Sequence, residues 1–572
     1  MAVYPRHQLA QQIVLSCKEN GITQVVVSPG SRNAPLIIGF NQEPTVELLS
    51  VVDERCAAFF ALGIAQQTKQ PIALICSSGS ALLNYFPAVA EAFYSDIPLI
   101  IITADRPKHL IDIGDGQTIR QENVFGTHVL SSTNLEEIPL GNTDEYLEKR
   151  SAVAIQNAMQ MAIKEKGPVH INVPFNEPLY ETVDGLTIDS SFLKLTTENV
   201  KNPISLLDET PLDVDDLAVF AEVWNNSKKK IVLVGASTPD DLLQTQLEHI
   251  AKDPSVIVLV ENTANVSHKM FVNSIDKLIF PLDDEALEKF QPEILLSLGG
   301  MIVSKKIKQQ LRKYQPKHHW HVDAKRGYDS YHCLEHHFKI SAQLFFSQFF
   351  FLTKPVKSDF RDFWLEKKMM RLKKHEKFVN TCEYSDFKVM ATLIGSIPKN
   401  RMLQLSNSSI IRYAQLFDLN PTVHVFCNRG TSGIDGSTST AVGASLASKK
   451  QTVLITGDIS FLYDSNGLWN NYIPKNFRII VVNNSGGGIF RFIPGPQTTN
   501  SLEYFETPHN LSAKELSAMH GFEYSMAENI ESLENTLKNF YLGEDVPKLL
   551  EIFTPTTLND AVLKSYFKNL KV

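Results

Sequence analysis

Cysteine pairing is the first thing missing from this chain. Its six cysteines, Cys17, Cys56, Cys76, Cys333, Cys382 and Cys427, are scattered with no CxxC pair among them, so neither a disulfide framework nor a zinc ribbon organises the fold. Nor does any N-terminal stretch join a basic start, an apolar centre and a small-residue cleavage site. Together these absences predict a reduced, cytoplasmic protein. Long apolar runs are missing too. The longest, such as PLIIITA at 98–104, are strand-sized and fall below the roughly 18 to 20 residues a bilayer-crossing helix needs, which excludes a membrane span of that kind. Positive charge is not in excess: 55 Lys and Arg stand against 63 Asp and Glu, for a net charge of −8. Such a balance gives no electrostatic reason to bind nucleic acid or an anionic lipid surface. Small molecules are the expected partners. Fixed-period repeats and low-complexity segments are also absent.

What is present is a rhythm of short β-branched runs between longer helical stretches. ITQVVVSPGS, PIALICSSGS, IPLIIITADRP and GPVHINVPF fall in the first third; KKIVLVGAS, SVIVLVEN, EILLSLGG and HHWHVDA in the middle; RMLQLSNS, TVHVFCNRG, QTVLITGD, FRIIVVNNS and PKLLEIF in the last. Alternation of this kind predicts an α/β protein with parallel sheets. A chain of 572 residues accommodates three doubly wound domains, since single domains run on the order of 100 to 200 residues. The expected limits are 1–184, 200–350 and 356–572, with polar linkers from about Asp184 to Asp215 and around Lys354. The middle domain looks plainer. Its LVGAS loop follows a strand but lacks GxGxxG, and DVDDLAVFAEVW reads as a solvated acidic helix face. Six histidines and Cys333 lie between His318 and His337. They invite a zinc reading, which the want of tightly paired ligands at set spacing argues against.

The most informative stretch is GDISFLYDSNGLWNNYIPKNFRIIVVNNSGGGIF, residues 457–490. Its two strands should end side by side, and ligands of open α/β sheets bind beyond the carboxyl ends of the strands. Carboxylate, amide oxygen and peptide carbonyl are hard donors suited to Mg²⁺, which bridges readily to phosphates. Glycines allow close backbone approach. A Mg²⁺-clamped diphosphate therefore fits between Asp458 and Asn484. Gly-Asp or Asn-Asn alone is an ordinary turn; their pairing at this spacing is more specific.

This stretch resembles the motif of the thiamine-diphosphate-dependent enzymes, a Gly-Asp pair followed some 25 residues later by asparagines after a hydrophobic strand. Ile459 stands where that motif usually has glycine, a departure found in one branch. VVDERCAAFFALGIA puts Glu54 before an Ala-rich helix, as the activating glutamate stands in this superfamily; by itself it would read as a solvated helix-start acid. SPGSRNAPL, DERCAAFFALGIA, TADRP, GQTIRQ, NSSIIR, NRGTSGIDGSTSTAVG and GDISFLYDSNGL are similar to the branch that serves menaquinone biosynthesis, over nearly the whole chain. That branch decarboxylates 2-oxoglutarate and adds the succinyl semialdehyde carbanion equivalent to isochorismate.

The resemblance implies thiamine diphosphate with Mg²⁺ or Mn²⁺ as cofactors. The metal would be held by Asp458, Asn484 and the Gly486 carbonyl, and the cofactor by Gly457, Asp458, Ile459, Ser460, Asn484, Gly486, Gly487 and Ile489 with Glu54. Glu54 would activate the aminopyrimidine, Ile434 would bend the cofactor, and Ile489 and Phe490 would line the reaction centre. Ser31, Arg32, Arg106, Gln117, Lys305, Ser408, Arg412 and Arg429 would bind substrate, with Lys306 standing where the family offers arginine. The residues make independent sense of this. Both substrates are dicarboxylates, and Arg32, Arg106, Arg412 and Arg429, read as ending strands, could turn a bidentate fork each into one cleft. A homodimer or dimer of dimers follows from the superfamily's habit of setting the glutamate domain of one subunit against the diphosphate domain of another. Two alternatives stand beside this reading: another thiamine-diphosphate-dependent 2-oxo-acid decarboxylase or carboligase, and an inactive nucleotide-binding regulator, for which Glu54 would have no use.

Overall fold

A computed structural model describes residues 3–141, 144–188, 209–493 and 495–571. Residues 189–208 of the first expected linker lie outside these. Three six-stranded sheets account for the strand-like runs, and every strand pair within them is parallel.

The first sheet comprises β1 (Gln24–Val27), β2 (Glu47–Ser50), β3 (Ile72–Cys76), β4 (Leu99–Asp105), β5 (Ser132–Asn134) and β6 (Val169–Pro174), in the order β2-β1-β3-β4-β6-β5. The second comprises β7 (Lys230–Val234), β8 (Val256–Val260), β9 (Phe271–Val272), β10 (Ile294–Leu298), β11 (His318–Val322) and β12 (Leu334–Phe338), in the order β9-β8-β7-β10-β11-β12. The third comprises β13 (Met402–Leu405), β14 (His424–Phe426), β15 (Thr452–Gly457), β16 (Arg478–Asn483), β17 (Glu523–Ala527) and β18 (Lys548–Phe553), in the order β14-β13-β15-β16-β18-β17. The first and third sheets thus share one topology, a repeat that no sequence period betrays. Central strands such as β3, β4, β7, β8 and β10 are buried along their length, as strands covered on both faces by helices must be.

Six helices position the residues of interest: α1 (Glu54–Thr68), α2 (Lys305–Lys313), α3 (Asp386–Ser396), α4 (Ser409–Ala414), α5 (Ser437–Ala447) and α6 (Asp458–Tyr463). The Asp53 side chain caps α1 by accepting the Cys56 N–H at 3.1 Å. Helix α1 is buried from Cys56 to Ala65 against α5, and a single apolar core runs from Phe59, Phe60 and Leu82 to Phe461, Leu468 and Phe477. First and third domains are therefore welded through their interior. The histidines of β11 serve packing. His319 Nε2 and His321 Nδ1 sit 2.8 and 2.9 Å from Ser297 Oγ, and burial lowers both to about 4. His318 pairs with Glu335 and His337 with the Asp323 carbonyl. Among the described residues, no group of three or more His, Cys, Asp or Glu gathers as a metal site would require.

Candidate active site

Strands β13, β15 and β16 lie side by side in the third sheet, so their carboxyl ends bring Ser408, Asp458 and Asn484 to one edge. Asp458 opens α6 directly after Gly457 ends β15. Its carboxylate accepts the N–H groups of Ile459 at 2.7 Å and Gly486 at 3.0 Å. Burial nonetheless raises its pKa, against those two donors and the nearby His509.

The paired asparagines have different fates. Asn483 spends its amide on the Leu511 carbonyl and on Glu551. Asn484 gives its Nδ2 to Asp386 at 2.9 Å, while its Oδ1 is buried without a partner. Gly486 has φ +150, and a Cβ there would lie 2.7 Å from the Glu506 carbonyl, so only glycine fits. Its own carbonyl accepts the Gly488 N–H at 3.0 Å and keeps a second lone pair. An orphaned amide oxygen, a buried carboxylate and a peptide carbonyl form the hard-oxygen set that a small divalent cation takes; Mg²⁺ or Mn²⁺ fits these residues.

His509 was not legible as part of this cradle. Its Nδ1 accepts the Leu511 N–H at 3.1 Å, and its Nε2 lies 3.3 Å from Asp458 Oδ2 but is not aligned for a hydrogen bond. No spacing in the sequence links position 509 to 458. Ser460 donates to the Ile434 carbonyl at 2.6 Å, which ties the loop carrying Ile434 to the start of α6. The first domain braces the same loop: the Glu91 carboxylate accepts the N–H groups of Gly430 at 2.8 Å and Thr431 at 2.6 Å. Ile489 and Phe490 occupy the half-buried turn after Gly487, where Phe490 packs on Phe505 at 5.4 Å.

Glu54 stands at the first position of α1, half-buried, with Asn84 Nδ2 3.4 Å away. Burial raises its pKa. Asp53 and Arg55 on either side reach the third domain, to Asn466 at 2.9 Å and to the Tyr463 carbonyl at 2.8 Å. Among the described residues no hydrogen bond or ion pair joins Glu54 to Asp458, Asn484 or Ile434 of the same chain. Val52, two residues before Glu54, Leu83, next to Asn84, and Tyr463, whose ring centroid lies 4.7 Å from the Arg55 guanidinium, are exposed.

The four arginines divide into two pairs. Arg32 is buried, donates to the Phe175 carbonyl at 2.9 Å and pairs with Glu177 at 3.1 Å; burial and the neighbouring Arg106 lower its pKa. Arg106 holds the Gly116 carbonyl and Asp115. Near them Ser31 and Gln117 are exposed, and the carbonyl of Gln117, at φ +55, accepts the Ser78 hydroxyl.

The second pair is Arg412 and Arg429. Arg412 does not end a strand as expected; it lies within α4, entered through Ser408 at φ +66. Burial, then Arg429, lowers the Arg412 pKa, and Asp276 and Glu261 of the second domain oppose the shift. The Nε atoms of both arginines are buried without partners, and Arg429 donates to Asn407 Oδ1 at 2.7 Å. Of the α2 lysines, Lys305 is exposed, and Lys306 lies over the Phe280 ring at 4.6 Å. Lys308 instead shares the field of Glu261, Arg429 and Arg412. The signal that could have found it is the spacing of three from Lys305, one helical turn on the same face. Glu261 caps the approach to α2 by accepting the Val303 and Ser304 N–H groups at 2.6 and 2.7 Å, and burial raises it to about 7.

A hard-oxygen cluster at the end of one doubly wound sheet and a helix-borne glutamate on another of the same strand order are groups suited to a metal-bridged diphosphate. Matches to known families give the same class. "Thiamine pyrophosphate enzyme, N-terminal TPP binding domain" matches residues 7–128, "Middle domain of thiamine pyrophosphate" residues 218–405, and "Thiamine pyrophosphate enzyme, C-terminal TPP binding domain" residues 408–552. Two Flavobacterium proteins, from F. psychrophilum and F. johnsoniae, are each 51% identical over 99% of this chain and all of their own length, and both are named 2-succinyl-5-enolpyruvyl-6-hydroxy-3-cyclohexene-1-carboxylate synthase. A Porphyromonas gingivalis protein of the same name is 37% identical over 96% of the chain and 94% of its own length. The chain is a thiamine pyrophosphate enzyme and belongs, within that class, to the 2-succinyl-5-enolpyruvyl-6-hydroxy-3-cyclohexene-1-carboxylate synthase family.

Proposed function

We propose that the protein decarboxylates 2-oxoglutarate and joins the remaining four-carbon unit to isochorismate, giving 2-succinyl-5-enolpyruvyl-6-hydroxy-3-cyclohexene-1-carboxylate and CO₂ in menaquinone biosynthesis. Bound thiamine diphosphate supplies the electron sink for loss of CO₂. Asp458, Asn484 and the Gly486 carbonyl hold Mg²⁺ or Mn²⁺ on its diphosphate, flanked by Gly457, Ile459, Ser460 and Gly487. Glu54 keeps a proton at the aminopyrimidine ring, a task suited to a carboxyl whose pKa burial raises. Ile434, Ile489 and Phe490 form the apolar wall.

The observation that carries the substrate reading is the Arg412 and Arg429 pair, two half-buried side chains close enough to repel each other, whose Nε atoms are buried without partners. Asp276 and Glu261 offset part of this paired positive charge, and a substrate carboxylate is the anion suited to engage the remaining donors. Arg32 and Arg106, with Ser31 and Gln117, form the second carboxylate subsite on the first domain, while Ser408 and Lys308 border the first.

The working unit is at least a homodimer in the cytoplasm, built on domains 1–184, 200–350 and 356–572. Glu54 of one subunit completes the cradle of its partner; the exposed apolar side chains Val52, Leu83 and Tyr463 near Glu54 support that contact. The test is turnover with 2-oxoglutarate and thiamine diphosphate, with and without isochorismate. Ligated product is expected only with isochorismate, and pyruvate accepted as well as 2-oxoglutarate overturns the reading.

A further inference from the structure

Asp386 opens α3, far from the 457–490 motif in sequence, and is buried. Its Oδ2 accepts Asn484 Nδ2 at 2.9 Å and its Oδ1 accepts Thr554 Oγ1 at 2.6 Å. Its backbone N–H donates to Asn559 Oδ1 at 2.8 Å, which seats the residue independently of its carboxylate. The Asn484 main chain is seated too, its carbonyl accepting Thr556 Oγ1 at 3.0 Å.

We propose that Asp386 is a positioning residue for the divalent cation: by accepting the Asn484 Nδ2 hydrogen bond it decides which end of that amide faces the metal. The inference rests on the reading of Asn484 as a metal ligand. An amide has a donor end and an acceptor end, and nothing in its shape separates them. A carboxylate only accepts, so the Nδ2 end turns to Asp386 and the Oδ1 end is left in the cradle. That is the buried oxygen with no partner. The flipped amide would set two oxygens against each other at 2.9 Å and aim an NH₂ group at the cation. Gly488 leaves the room this amide occupies, since a Cβ there would lie 2.9 Å from Asn484 Nδ2.

The test measures binding of Mn²⁺ itself, by loss of the free-ion EPR signal, to the full-length protein with thiamine diphosphate present. Asp386→Asn is nearly isosteric but can turn an NH₂ group toward Asn484 Oδ1. It is expected to weaken Mn²⁺ binding about 10- to 100-fold, the range for residues that orient metal ligands. The swap Asp386→Asn with Asn484→Asp restores a donor facing an acceptor and leaves an oxygen for the cation, so it is expected to return to within a few-fold of wild type. Wild-type Mn²⁺ affinity in Asp386→Asn, or a swap that recovers nothing, overturns the proposal. Should the single variant fail to fold, the folded swap alone decides: Mn²⁺ binding more than about tenfold weaker than wild type overturns it. Asp458→Ala separates the two levels. It is expected to lose the site, and if it binds Mn²⁺ as wild type does, the metal-site reading itself falls.

Discussion

At the scale of single residues, the candidate site leaves several buried polar atoms unsatisfied. A native interior rarely keeps a buried amide oxygen or guanidinium Nε without a partner, and here Asn484 Oδ1, Arg412 Nε and Arg429 Nε share that condition. Each such group costs free energy until it gains a partner. Replacing Arg412 or Arg429 with alanine is therefore expected to cost about 2 to 5 kcal/mol of substrate binding or transition-state stabilisation, read as kcat/KM for 2-oxoglutarate. If the Arg32 and Arg106 pair receives only the second substrate, Arg106→Ala should still release CO₂ in a single turnover while forming no ligated product. Parallel loss of both half-reactions in all four arginine variants would refute the division of labour. Glu54→Gln should retain thiamine diphosphate, followed by its fluorescence quenching, and lower turnover on the order of 10²-fold or more; unchanged proton exchange at the thiazolium carbon would move that role elsewhere.

At the scale of elements, α1 reaches its place because two glycines let backbone meet backbone. A Cβ on Gly63 would lie 2.1 Å from the Thr440 carbonyl, and one on Gly443 2.0 Å from the Phe60 carbonyl. Neither neighbour is a side chain that can swing aside. Gly63→Ala and Gly443→Ala are each expected to destabilise by about 1 to 3 kcal/mol or more, the range for overpacked cores, visible as a lower Tm. Gly395, near the end of α3, has open space around it, so Gly395→Ala should be neutral or stabilising by up to about 1 kcal/mol. Equal Tm values for all three would mean that α1 and α5 do not meet as described. The Asp53 cap has a second consequence: Asn466 on the same carboxylate makes the start of the glutamate helix depend on the third domain.

For the whole molecule, the two testable consequences are assembly and acid sensitivity. Mixing inactive Glu54→Gln and Asp458→Ala subunits should restore part of the activity, because a two-fold heterodimer contains one interfacial site with both residues intact; full activity of a proven monomer rules this out. Acid sensitivity follows from His170, buried with Thr103 and Ser132 at its ring nitrogens and lowered by burial to about 3 from an ordinary 6.5. Below pH 6.5 the unfolded chain takes a proton there and the folded one does not, so stability falls as pH drops, by about 1.4 kcal/mol per unit for that group. His170→Gln should flatten the fall in the urea midpoint between pH 6.5 and about pH 5. An unchanged slope would assign the proton uptake to other groups.

By itself the sequence determined the α/β class, the strand-like runs, the Gly-Asp to Asn-Asn pairing and the glutamate before an Ala-rich helix, because these are local: β-branched runs choose strands, and turn chemistry sits at their ends. Tertiary structure alone decided which asparagine of the pair keeps a free oxygen, that four arginines form two pairs, that Lys308 rather than Lys305 shares the field of Arg412 and Arg429, and that Asp386 meets Asn484, His509 meets Asp458 and Glu91 meets the Gly430 loop. Each of those residues lies on a different segment from its partner, and a contact between distant segments depends on how whole sheets and helices pack. The shared strand order of the first and third sheets escaped the sequence for a related reason: topology is set by which strand pairs with which, and many apolar sequences satisfy the same pairing.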